Sequence, residues 1–176
     1  MTKDANTMPL SRILRTDDIN DEDGEISATE AEKGAIAALL DLKALDHLTF
    51  TYHLRQGGSG RLHLGGRLKA RVVQTCVVTL DPVQADLDIP VEAEFWPQEL
   101  IDGLEKSTET HDGAFDWPEP IKDGKIDLGP LIYETLAMSL DPYPKREGAS
   151  FDWSQGAEGA PAGISPFATL EALRRR

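Results

Sequence analysis

Between Arg61 and Trp96 two long alternating runs flank one turn, a pattern that reads as an antiparallel hairpin. In the first run Leu62, Leu64, Leu68, Ala70 and Val72 share one strand face, and Arg61, His63, Arg67, Lys69 and Arg71 share the other. In the second, from Val83 to Trp96, Leu87, Ile89, Val91, Ala93 and Phe95 alternate with Asp86, Asp88, Glu92 and Glu94. One strand therefore shows water a basic face and its neighbour an acidic one. Thr79-Leu80-Asp81-Pro82 supplies the residues a reversal favours. A turn centred near Leu80-Asp81 would set Lys69 near Glu92 and Arg67 near Glu94.

Before this hairpin, Leu48, Phe50, Tyr52 and Leu54 alternate with His47, Thr49, Thr51, His53 and Arg55, which predicts a third strand over 46–55. Gln56-Gly57-Gly58-Ser59-Gly60 lacks the Lys-Ser/Thr ending and following helix of a phosphate loop, and reads as a hairpin loop. The three strands make an antiparallel meander.

Two segments predict helices. Ser27-Ala28-Thr29-Glu30 has capping-box spacing, and Ile36, Leu39 and Leu40 form a stripe, giving an amphipathic helix from Ala28 to about Leu42. Leu128, Leu131, Ile132, Thr135, Leu136 and Met138 suit a largely buried helix capped by Asp127, with Pro130 in its first turn. Leu10, Ile13 and Leu14 read as a short helix or strand packed on the sheet, and Leu100, Ile101 and Leu104 as a helical turn. Asp116–Pro120 is expected to be extended and Asp123-Gly124 a tight turn. The fold class is thus α+β, an antiparallel sheet, with strong curl allowed, that carries packed helices. Residues 1–153 are expected to form one domain, and 154–176 a Gly/Ala/Pro-rich linker and a short basic-ended helix.

Eighteen Lys and Arg against 31 Asp and Glu give a net charge of −13, which repels nucleic acid at long range and makes basic proteins the natural partners. The acids are segregated. Asp17, Asp18, Asp21, Glu22, Asp23 and Glu25 crowd one stretch with no Lys or Arg among them, read as an acidic loop able to hold a basic partner. A second acidic stretch spans 97–120. The basic strand face has two readings. It grips phosphates in an extended line, or it pairs with the acids of the returning strand, and pairing is favoured. His53, Arg55, Arg61, His63 and Arg71 remain the candidates for RNA contact.

No run of about 18 apolar residues marks a membrane span, and the first residues lack the apolar centre of a signal peptide. One cysteine excludes an internal disulfide and fits a reducing compartment, so a cytoplasmic protein is expected. Cys76 and the four histidines have no structural-zinc spacing, and no nucleophile–base–orienter trio is marked. No metal, cofactor or catalytic residue is expected, and Cys76 is read as a buried small residue.

Four segments resemble the YceD family, named for large ribosomal RNA subunit accumulation: Gly66–Val83, Ile126–Leu136, Leu140–Pro144 and Ser165–Leu173. Many members carry Cys-x-x-Cys at the hairpin, whereas this chain has Cys76 and Thr79, so a metal or redox role of such a pair is not carried over. The resemblance implies a part in making or stabilising large-subunit rRNA in bacteria and plastids, and no established catalytic residues. The expected function is a non-enzymatic ribosome-biogenesis factor that binds a basic ribosomal protein or assembly factor. Direct rRNA binding is the alternative, and an rRNA-processing enzyme built on a Mg²⁺-binding acid cluster is the third reading.

Overall fold

The computed structural model describes residues 8–19, 21–107 and 117–150. The chain divides into two units, Met1–Arg146 and Glu147–Arg176, and every element named below lies in the first. In order these are β1 (Ile13–Arg15), β2 (Glu22–Ser27), α1 (Glu30–Leu39), β3 (Ala44–Gln56), β4 (Leu62–Thr75), β5 (Pro82–Pro97), α2 (Gln98–Ser107), β6 (Glu119–Ile121), β7 (Lys125–Asp127) and α3 (Leu128–Ser139). Five strands form one sheet in the order β2-β3-β4-β5-β6, and β1 pairs with β7 in a second, two-stranded sheet. The large sheet is open, with β2 and β6 as edges, and is not strongly curled. It is antiparallel except for the β5–β6 pair, which is parallel.

The β3–β4–β5 meander follows the expected alternation. Leu48, Phe50, Leu54, Leu62, Leu64, Leu68, Ala70 and Val72 are all buried on its inner face. Burying one such side chain is worth about 1.5–3 kcal/mol, so this face dominates the stability of the sheet. Gly66 belongs to it: a Cβ there would lie 2.7 Å from the Phe50 ring and from Thr51 O. The helix α1 packs on β3, and α3 packs on β4, β5 and β1. Leu10, Ile36, Leu128, Ile132 and Leu136 complete the core.

The register differs from expectation. Thr75 pairs with Pro82, Lys69 with Asp88 and His63 with Glu94, so the turn centres on Val78-Thr79 rather than Leu80-Asp81. Cys76 N–H donates to Asp81 O (2.8 Å) and Leu80 N–H to Cys76 O (3.0 Å), while Leu80 takes φ +64°. Each pair is displaced by four residues. Because four is even, both faces keep their identity.

The stretch expected as an acidic loop contains β2, which pairs with β3 from Glu22↔Leu54 to Ser27↔Thr49. Its acids and glycine disfavour strand formation, and only Ile26 is apolar and buried. Gly24 lies under the Tyr52 ring, close enough that a Cβ would meet the phenol at 2.3 Å. Ser27 ends this strand, so the capping box moves to Thr29 and Glu32: Glu32 N–H donates to Thr29 Oγ1 (3.3 Å), and Thr29 N–H to Glu32 Oε2 (2.8 Å).

The N-terminal segment crosses α3 as a strap. Asp127 caps α3 and accepts from Ser11 Oγ (2.7 Å), Arg12 N–H (2.6 Å) and Gly129 N–H (2.9 Å). Burial opposes its ionisation, but these bonds outweigh it and hold the carboxyl below the usual aspartate range. Arg12 then reaches Glu32 with two bonds of 2.7 and 2.9 Å. That pairing, with the Thr29 bonds, lowers the Glu32 pKa to about 2. Met138, expected in the buried stripe of α3, is 87% exposed. The C-terminal helix expected over 165–176 lies outside the described residues.

Candidate functional site: the outer face of the sheet

The side of the sheet away from the helices is built in cross-strand rows. From the register, Asp23, His53, Gly65 and Glu92 form one row across β2, β3, β4 and β5. Neighbouring rows are Arg55, His63 and Glu94; Glu25, Thr51, Arg67 and Pro90; Thr49, Lys69 and Asp88; and His47, Arg71 and Asp86. Basic residues occupy the two central strands and acidic residues the flanking ones. Six carboxylates (Asp23, Glu25, Asp86, Asp88, Glu92, Glu94) surround four permanent cations (Arg55, Arg67, Lys69, Arg71) and three histidines.

Most of these cations are occupied. Arg67 Nη1 lies 3.0 Å from Asp88 Oδ1 and Arg71 Nε 2.7 Å from Asp86 Oδ1, each pair about half exposed. The hydrogen bond that Arg71 donates to Asp86 is the main reason the Arg71 pKa rises. His63 Nδ1 is 3.1 Å from Glu94 Oε1. Arg55 Nε donates to His53 Nε2, which requires the ring proton on Nδ1, where it faces Asp23 Oδ1. Asp21 stands 3.7 Å from Arg55 and 3.8 Å from His53. Exposed pairs of this kind are weakened by solvent, so they fix register and charge more than stability.

The sequence-derived RNA candidates do not form one cluster. His53, Arg55 and His63 come together at one end of the sheet. Arg71 lies eight residues along β4 from His63, about 26 Å away at strand rise. Arg61 turns its guanidinium onto Trp96, with Cζ 3.9 Å from the ring centroid, and its Nε is buried without a hydrogen-bond partner. Of the partner-binding candidates, Asp17 and Asp18 lie in a 3-10 turn, Asp21 and Asp23 engage β3, and Glu22 and Glu25 stand on the edge strand β2.

A feature that alternation alone did not reveal sits where the basic and acidic columns meet. A depression of about 720 Å³ is lined by His53, Arg55, His63, Gly65, Glu92, Glu94, Trp96, Trp117 and Glu119, together with Leu64, Ala93 and, from α3, Leu131. Gly65 makes the gap in the central row, since a Cβ there would meet nothing within 4 Å. Trp96 Nε1–H donates to Glu94 Oε2 (2.8 Å), which orients one wall. The sequence signal was the Gly65-Gly66 pair inside a strand, since an interior glycine marks a close approach or a missing side chain.

At the other end of the hairpin Cys76 is fully buried. Its Sγ accepts N–H bonds from Arg146 and Thr79, both at 3.4 Å. The Arg146 amide and then the Thr79 hydroxyl and amide pull the thiol pKa down to about 6. Arg146 also pairs with Asp81 at 2.9 Å, tying the exit segment to the turn. Among the described residues no group of three His, Cys, Asp or Glu side chains is placed to hold a metal ion. No helix among them is long and apolar enough to cross a membrane.

The family model described as large ribosomal RNA subunit accumulation protein YceD matches residues 64–174. The chain belongs to the YceD family. The match begins at Leu64 in β4 and takes in the hairpin, α3 and the side of the depression formed by Gly65, Glu92, Glu94, Trp96, Trp117 and Glu119, while His53, Arg55 and His63 precede it. Membership in the YceD family implies a role in accumulation of large-subunit ribosomal RNA. No curated protein and no solved structure matched the chain. At the hairpin turn Thr79 donates its amide to Cys76 Sγ at 3.4 Å.

Proposed function

We propose that this YceD protein is a non-enzymatic ribosome-biogenesis factor that promotes large-subunit rRNA accumulation by holding a basic ribosomal protein or assembly factor. The observation that carries the reading is the charge order of the outer face. Arg67, Arg71 and His63 are drawn into pairs by flanking acids, and the acids outnumber the permanent cations. A net charge of −13 adds long-range attraction for a basic chain and repulsion for RNA. In this mechanism the carboxylates shield a basic protein until rRNA, a denser polyanion, displaces it.

The competing reading is direct rRNA contact through His53, Arg55, Arg61, His63 and Arg71. It draws on the convergence of three of these residues on one depression and on Lys69, which has no ion-pair partner among the described residues. A tagged-protein pull-down from growing cells, divided into samples with and without RNase, separates the two. Retention of a basic ribosomal protein or assembly factor after RNase is the expected result. Loss of all partners with RNase would make RNA the primary ligand. Charge reversal at Arg55 and His63 should then weaken RNA crosslinking strongly.

A further inference from the structure

We propose that the glycine-floored depression at the end of the sheet receives an arginine side chain from an extended basic segment of the partner protein. This rests on the protein-binding reading above and gives it an address. Three observations converge.

The first is shape. The outer row Asp23, His53, Gly65, Glu92 is continuous except at Gly65, where a Cβ would meet open space. A side chain of any size there would project into the depression. The neighbouring glycine has a packing reason, because Phe50 occupies the space of a Cβ at Gly66. Gly65 has no such reason in the fold.

The second is uncompensated charge. Arg55, the permanent cation among the lining residues, already faces Asp21, and the imidazoles of His53 and His63 face Asp23 and Glu94. Glu92 and Glu119 line the same space, are exposed, and among the described residues have no side-chain hydrogen bond or ion pair. The charge left to be matched is therefore negative, and the ligand that matches it is a cation.

The third is the chemistry of the walls. Trp96 and Trp117 both line the depression, and Trp117 is 52% exposed. An indole face attracts a cation, and a planar guanidinium both stacks on it and bonds a carboxylate in a forked geometry. The protein already uses this pairing once, with Arg61 lying 3.9 Å from the centroid of the Trp96 ring. Trp117, half-exposed in the lining with Glu92 and Glu119, brings indole and carboxylate chemistry to the same depression.

The test is fluorescence anisotropy with the full chain and a labelled nine-residue peptide in which arginine alternates with serine, at low salt. Four variants are compared with the parent: Gly65→Val, the double variant Glu92→Gln/Glu119→Gln, Trp117→Ala, and Asp41→Asn as a charge control beyond the end of α1. The expected result is a loss of affinity of about tenfold or more for Gly65→Val with no fall in Tm, and a similar loss for the double variant. Trp117→Ala should lose several-fold, and Asp41→Asn should stay within about twofold. A lysine–serine peptide should bind several-fold more weakly to the parent, because an ammonium cannot fork. Should Gly65→Val fail to fold, the isosteric double variant decides. Parent-like binding by folded Gly65→Val and by the double variant would overturn the depression as the site, while leaving the protein-binding reading intact. Failure of the parent to bind either the peptide or RNA-free large-subunit proteins would remove both. Binding of single-stranded RNA in place of the peptide, abolished by Gly65→Val, would assign the depression to nucleic acid and overturn the cationic ligand.

Discussion

On the inner face of β4, Leu62, Leu64, Leu68, Ala70 and Val72 are buried to 3% exposure or less. On the outer face of the same strand His63, Arg67 and Arg71 stay about half exposed and reach across to β5. The inner face is held by exclusion of water and close packing, where each methylene counts. The outer face is held by pairs that solvent weakens, so its residues are free to serve binding. The two adjacent glycines sum up the difference: Gly66 is required by its neighbours, whereas Gly65 is required by nothing in the fold.

The sharpest way to break the inner face is Phe50→Ala. Phe50 is 1% exposed and stacks on Tyr52 with ring centroids 5.9 Å apart. A loss of about 3–5 kcal/mol is expected in urea denaturation. Gly66→Ala comes next. Its Cβ would collide with the Phe50 ring and the Thr51 carbonyl, and about 1–3 kcal/mol should be lost.

Acid probes the strap that closes the helical side. Glu32 has its pKa lowered from 4.5 to about 2, so its stabilisation is complete above about pH 4.5 and is lost as pH falls toward 2. Glu32→Gln keeps the capping geometry and removes the charge. It should cost about 1 kcal/mol near pH 7, discounted for solvent exposure, and flatten the decline of the urea midpoint between pH 5 and 2.5.

Gly65→Val tests the outer face from the opposite direction. Replacing a strand glycine whose Cβ meets open space should raise stability by about 0.5–1 kcal/mol, read as a higher Tm. A fall in Tm would show that the two faces are coupled at this row. The smallest effect belongs to the Arg67–Asp88 pair. A double-mutant cycle should return about 0.2–1 kcal/mol and shrink further in high salt. A larger value would mean that the outer face contributes more to the fold than its exposure indicates.

The meander, its two faces, the α3 cap at Asp127 and the burial of Cys76 were legible in the sequence, because strand alternation and capping are local periodic signals. The edge strand β2 was not, since its residues are acidic and its reason to be extended lies in β3 and in Tyr52 over Gly24. The four-residue shift in hairpin register was equally hidden. The backbone bonds of Cys76 with Leu80 and Asp81 close the turn around Val78-Thr79, and no local preference ranks that closure above its neighbours.

The candidate site divides along the same line. The sequence by itself determined that basic and acidic strand faces would lie side by side, because a period of two assigns every charge to a face whatever the even register. Only the tertiary structure decided which charges neutralise one another. It brought Asp21 and Asp23 to His53, turned Arg61 onto Trp96, and left Glu92 and Glu119 facing a gap made by a missing side chain. Coulomb interactions fall off over a few ångströms in solvent, so the charge a partner meets is set by which residues end up in contact, not by how many of each the chain contains.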